Sequence, residues 1–115
     1  MIEQSTRFRL DDMIENARLA LRFQGNAGVA ELEADDLSRF ALLRAIEVVG
    51  EAASQVPQAF REAHGAIPWR RAINMRNILI HGYRLIDLGI VTATGRENFP
   101  ILIADLERLL GHDDT

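Results

Sequence analysis

Three polar side chains, Arg76, Asn77 and His81, interrupt an apolar run in the segment Met75-Arg76-Asn77-Ile78-Leu79-Ile80-His81-Gly82-Tyr83. A histidine can give or take a proton at physiological pH, and a guanidinium can hold a phosphate through two parallel hydrogen bonds. Together they suit RNA cleavage by attack of a 2′-hydroxyl on the adjacent phosphate. One imidazole takes the hydroxyl proton, a second protonates the leaving 5′-oxygen, and arginine stabilises the charge of the phosphorane-like transition state. The segment supplies only one histidine, because His64 and His112 lie elsewhere in the chain. A symmetric dimer would add a second Arg76 and a second His81 across its axis. On a helix Asn77 and His81, four apart, share a face, so the amide is placed to orient the imidazole. Arg76 and His81 are five apart and diverge by about 140° unless the helix ends near His81. Gly82 is the expected point of unwinding. The same residues also fit a plainer account, a structural helical dimer in which Arg76 pairs with Glu47 or Glu51.

The elements that must position this segment read as helices. Leu10, Ile14, Ala17 and Leu21 recur at three or four residues, and Gly25, Asn26 and Gly28 end that helix. Leu37, Ala41, Ala45, Val48, Ala52 and Val56 form the expected stripe of a longer helix, with Asp35 or Asp36 supporting its first turn and Pro57 breaking it. Residues 58–64 allow a short helical turn closed by Gly65. Pro68 suits the first position of the next helix, where its missing N–H would be unsatisfied anyway. That helix passes through Trp69, Ile73, Met75, Ile78, Leu79 and Ile80, and its apolar second half is expected to be enclosed on most sides. Residues 87–95 read as a weaker helix. Asn98 is the expected cap of the last one, which carries Pro100 in its first turn and the stripe Phe99, Leu102, Ile103, Leu106, Leu109 and Leu110. No alternating strand pattern appears, so the expected architecture is all-α, an antiparallel bundle of four or five helices in a single domain over residues 1–115. Gly50, within Val49-Gly50-Glu51-Ala52-Ala53-Ser54, costs about 1 kcal/mol relative to Ala inside a helix. A close approach of another backbone, within the chain or across a subunit interface, would account for it.

Composition narrows the function. The chain has 115 residues and no cysteine, which excludes disulfides and thiolate metal sites. No zinc-type HExxH pair, phosphate loop or nucleophile elbow is present, and no metal or cofactor is expected. Residues 1–9 do not read as a signal peptide, and no run of apolar residues is long enough for a membrane span, so a cytoplasmic protein is expected. All thirteen basic residues are arginine, and the net charge of −4 argues against a general nucleic-acid coat. The charge is uneven. Residues 61–84 hold five arginines (Arg61, Arg70, Arg71, Arg76, Arg84) against Glu62, whereas the remainder carries eight arginines against sixteen acids. A basic island on an acidic chain suggests a localised anion site.

The ordered set of these residues resembles the HepT toxin family of the HEPN superfamily. The superfamily's mark is an arginine, a polar residue, a few further positions and a histidine, matched by Arg76-Asn77-Ile78-Leu79-Ile80-His81. The HepT branch adds a tyrosine two residues later, matched by Tyr83. Glu47-Val48-Val49-Gly50-Glu51-Ala52, Pro68-Trp69 and Phe99-Pro100 extend the likeness over about residues 35–110. The resemblance implies a HEPN-type helical bundle that dimerises and places the Arg and His of both subunits in one cleft. It implies a metal-independent RNase toxin paired with a minimal nucleotidyltransferase antitoxin that transfers AMP to the motif tyrosine. Carried onto this chain, Arg76 and His81 are catalytic, Asn77 supports them, and Tyr83 is the modified residue. Glu47 and Glu51 are the acids expected behind Arg76. The competing expectation is a catalytically idle HEPN subunit that presents substrate to a nucleotidyltransferase.

Overall fold

Four long helices carry the architecture of the computed structural model, which describes every residue except Tyr83, Leu85 and Thr115. They are α1 (Gln4–Gln24), α3 (Asp36–Gln55), α5 (Trp69–His81) and α7 (Phe99–Asp114); three six-residue helices, α2 (Val29–Ala34), α4 (Gln58–Ala63) and α6 (Leu88–Ala93), lie between them. No strand occurs among the described residues, as the helical spacing predicts. Helix α3 is the centre of the bundle, packed on α1 at one side and α5 at the other, while α7 lies against α1.

Local chemistry sets the helix ends. Gly25, at φ 53°, closes α1 by donating its N–H to the Leu21 carbonyl at 2.9 Å, a backbone angle that suits glycine best. Asp35 caps α3: its carboxylate accepts from the Ser38 N–H at 3.1 Å and the Ser38 hydroxyl at 2.7 Å. Those two bonds hold the Asp35 carboxyl below its usual range, the Ser38 hydroxyl contributing most. Arg39 secures the preceding turn, its guanidinium donating to the Leu32 and Glu33 carbonyls at the end of α2. Asp87 caps α6 by accepting from the N–H groups of Gly89 and Ile90.

The core is one apolar cluster. Leu10, Met13, Ala17 and Ala20 of α1 meet Leu42, Ile46, Val49 and Ala53 of α3 and Phe99, Leu102 and Leu106 of α7. Of the expected α3 stripe, Ala45, Ala52 and Val56 are buried and Ala41 and Val48 half-buried, but Leu37 is 81% exposed and the core begins at Leu42. Leu37 occupies the first turn of α3, where its periodicity alone does not bury it.

The last helix also differs from expectation. Asn98 does not cap it, because α6 runs without interruption through a π turn, Thr94–Asn98, into α7. Pro100 explains the turn. Proline has no N–H to donate to the carbonyl four residues back and its ring clashes there, and a wider turn relieves both. The Phe99 N–H accordingly bonds five residues back, to Thr94. The Gln24 side chain satisfies the Thr92 carbonyl from α1 at 3.0 Å, and a Cβ at Gly95 would strike the same Gln24 amide.

Candidate active site on the fifth helix

Helices α3 and α5 run antiparallel and pack tightly at Gly50. A Cβ there would collide with the Ala72 carbonyl oxygen and the Arg76 Cβ. The glycine is thus explained by close packing inside the chain, and its partner is the helix that carries Arg76. This contact fixes how far α5 stands from α3 and aims Arg76 along the α3 surface.

Arg76 lies at the α3–α5 junction, its side chain 21% exposed. Its Nε faces Glu51 at 3.5 Å, an ion pair without hydrogen-bond geometry, and that nitrogen is buried with no hydrogen-bond partner. Glu51 is half exposed, so the pair itself contributes at most about 1 kcal/mol and acts chiefly to orient the guanidinium. Glu47 takes a different partner, accepting from Arg44 at 2.7 Å, one turn before it on α3. It lines a groove of about 470 Å³ with Phe40, Leu43, Leu79 and Ile86. Of the two acids expected behind Arg76, Glu51 is the one beside it.

Asn77 and His81 occupy another face. Both are exposed, and no hydrogen bond joins them. Ile78 between them is 45% exposed. This overturns the expectation of an enclosed helix: α5 buries only Trp69 and Leu79. The reason is that, among the described residues, α3 is the one helix with which α5 packs extensively, and Asn77, Ile78 and His81 lie on a side it leaves open. Helix α5 ends at His81, with the Gly82 N–H donating to the Ile78 carbonyl at 2.8 Å, as the glycine suggested. Within one chain Arg76 and His81 therefore point to different sides of α5. Tyr83, the residue on which modification was expected, lies outside the described residues.

A longer pattern was missed in the sequence. Arg70, Asn74, Asn77 and His81 are all exposed and follow one another at steps of four, three and four, which aligns them on one side of α5. The spacing was visible, but Asn74 has no chemistry of its own to attract notice. Among the described residues, no three His, Cys, Asp or Glu side chains converge as a metal-binding group. No described helix is long and apolar enough to cross a membrane.

Known proteins agree on the family. The family model described as ribonuclease HepT-like matches residues 13–109. The chain is 32% identical over 108 residues to a protein of Thermococcus cleftensis named "probable ribonuclease HepT", covering 94% of this chain and 98% of that protein. It is 30% identical over 107 residues to a protein of Methanocaldococcus jannaschii named "putative RNase", covering 93% and 98%. No solved structure gives a significant match. With a family model spanning both α3 and the motif on α5, and full-length relatives named as ribonucleases, the chain belongs to the HepT-like ribonuclease family of the HEPN superfamily.

Proposed function

We propose that this ribonuclease is a metal-independent, cytoplasmic endoribonuclease that works as a homodimer, its site composed of Arg76 and His81 from two copies. The observation that carries the reading is the uncovered side of α5, where Asn77, Ile78 and His81 stand in solvent while Arg76 turns onto α3. A second α5 laid against this side by a two-fold axis would cover Ile78 and bring the two His81 imidazoles towards one substrate. One His81 removes the 2′-hydroxyl proton as the oxygen attacks phosphorus. The other gives its proton to the departing 5′-oxygen, so the products are a 2′,3′-cyclic phosphate and a 5′-hydroxyl. Arg76 holds the non-bridging oxygens, where charge develops. Glu51 keeps the guanidinium in place through Nε, and no hydrogen bond within the described residues occupies its terminal nitrogens.

Family membership supports a wider reading. The chain acts as the toxin of a HEPN–nucleotidyltransferase pair, and its antitoxin silences it by transferring AMP to Tyr83. Two residues beyond His81, an AMP phosphate and base would occupy the place of the RNA phosphate and compete for Arg76.

The test is cleavage of single-stranded RNA in the presence of EDTA. Wild type is expected to leave 2′,3′-cyclic ends, and His81→Ala and Arg76→Ala to cleave at least about 100-fold more slowly. Wild-type rates in either variant would remove the assignment and favour the idle binding subunit. Co-expression with the nucleotidyltransferase should raise the mass of the tryptic peptide containing Tyr83 by one or more AMP units, and of no other peptide.

A further inference from the structure

The basic island of residues 61–84 extends beyond Arg76, and two of its members meet at the other end of α5. There α4 and the first turn of α5 wall a cleft of about 520 Å³ whose lining includes Gln58, Arg61, Glu62, Pro68, Trp69 and Arg70. Its wall is firmly set. The Trp69 indole N–H donates to the His64 carbonyl at 3.0 Å, and the Phe60 ring meets Trp69 edge-on at 6.3 Å.

Neither arginine has an acidic partner among the described residues, and the Arg61 Nε is buried without any hydrogen-bond partner. The one carboxylate in the cleft, Glu62, accepts from the Gln58 amide at 3.0 Å. Helix α5 has no acidic residue in its first turn and no side-chain cap. The positive end of the helix therefore adds to the charge of Arg70 and Arg71 instead of being offset. An anion in the cleft would pair with the two guanidinium groups and offset the positive end of the helix. From this cleft the exposed stripe Arg70, Asn74, Asn77 leads to His81, a path of about 16 Å along the helix.

We infer that the α4–α5 cleft is a phosphate subsite for single-stranded RNA, in which Arg61 and Arg70 hold the backbone several nucleotides from the scissile bond. The substrate class rests on the ribonuclease reading of His81; the anion site stands on the cleft's own charge and geometry. Asn74 and Asn77 supply donors and acceptors along the way, so the strand is guided from the subsite to the imidazole.

The test separates the two readings. A labelled RNA of about 12 nucleotides is titrated, over a range of salt, against the His81→Ala chain and against that chain carrying Arg70→Ala or Arg61→Gln. Each arginine substitution is expected to weaken binding about 5- to 10-fold and to flatten the dependence of log K on log salt by about 0.7. In the chain that retains His81, both should raise KM for the long RNA more than for a dinucleotide, which cannot span the path. Arg70 is exposed and outside the core, so equal affinity and an equal salt slope in Arg70→Ala overturn the subsite, whatever Arg61→Gln does to folding. If wild type fails to cleave but Arg70-dependent binding persists, the catalytic reading alone is lost. If the parent chain binds no RNA, both are lost.

Discussion

Helices α5 and α7 have comparable apolar content, yet the chain uses them in opposite ways. Helix α7 buries Phe99, Leu102, Ile103, Leu106 and Leu110. Helix α5 buries Trp69 and Leu79 and leaves Ile78 in water between Asn77 and His81. A single exposed isoleucine, such as Ile101 on α7, is ordinary surface. Ile78 differs in its neighbours, because it stands between the exposed Asn77 amide and the His81 imidazole. The contrast teaches that apolar residues on a helix reach the core only where the chain supplies a second layer. Helix α7 has α1, whereas the described residues supply no second long helix against the outer side of α5.

The largest effect that would break this comparison is on stability. Leu106→Ala empties a fully buried position and is expected to cost about 2–5 kcal/mol. Ile78→Ala should stay within about 0.5 kcal/mol of wild type for the fold itself. Urea titration at a concentration where the chain is monomeric compares the two, and equal losses would mean that Ile78 belongs to the core. Ile78→Asp sharpens the point. It should keep the helical circular dichroism of wild type while light scattering reports a monomer and RNA cleavage disappears. A dimer that survives Ile78→Asp with full activity places the subunit contact elsewhere.

Next in size is Gly50→Ala. At an open helical position this change would stabilise by up to about 1 kcal/mol, because glycine is a poor helix former. Here the new methyl strikes α5, so a loss of about 1–3 kcal/mol is expected, together with slower cleavage as Arg76 shifts. A stabilised, fully active Gly50→Ala chain would show that α5 does not depend on that contact.

The smallest effect separates capping from catalysis. The Asp35 carboxyl is held below its usual range in the folded chain, so its charge contributes stability above the unfolded carboxylate range, and that contribution fades as pH falls through the folded value. Asparagine caps as well as aspartate but carries no charge. The urea midpoint of Asp35→Asn should therefore lie below wild type at about pH 7, and the gap should narrow as pH falls below the ordinary carboxylate range. A gap of constant size would show that the charge plays no part.

The sequence made much of this legible. The spacing of apolar residues located α1, α3, α5 and α7, and Gly25, Asp35 and Gly82 marked real ends. It failed where a local signal had two physical meanings. Pro100 reads as a helix start, but it also fits inside a helix once a wider turn precedes it. Leu37 fits the period of α3 yet stands exposed in its first turn. Helix α2 was not foreseen, since six residues make too short a window for periodicity to register. At the site, Arg76, Asn77 and His81 were found by type and spacing. The choice between Glu47 and Glu51 was out of reach, because it turns on Arg44 drawing Glu47 away along α3. The cleft at Arg61 and Arg70 was visible only as a charge count, since α4 and α5 meet there across a loop whose path the residues do not announce.

The π turn has a consequence for how this chain can change over time. Thr94–Asn98 accommodates one residue more than a regular turn would, and everything after it is set in phase by that extra residue. Substitutions within the turn can be absorbed locally. Removing a single residue would let the helix become regular and rotate α7 by about 100° about its axis. Leu102 and Leu106 would then swing out of the core together. In this family member, the stretch between α6 and α7 should tolerate new side chains far more readily than a shorter length.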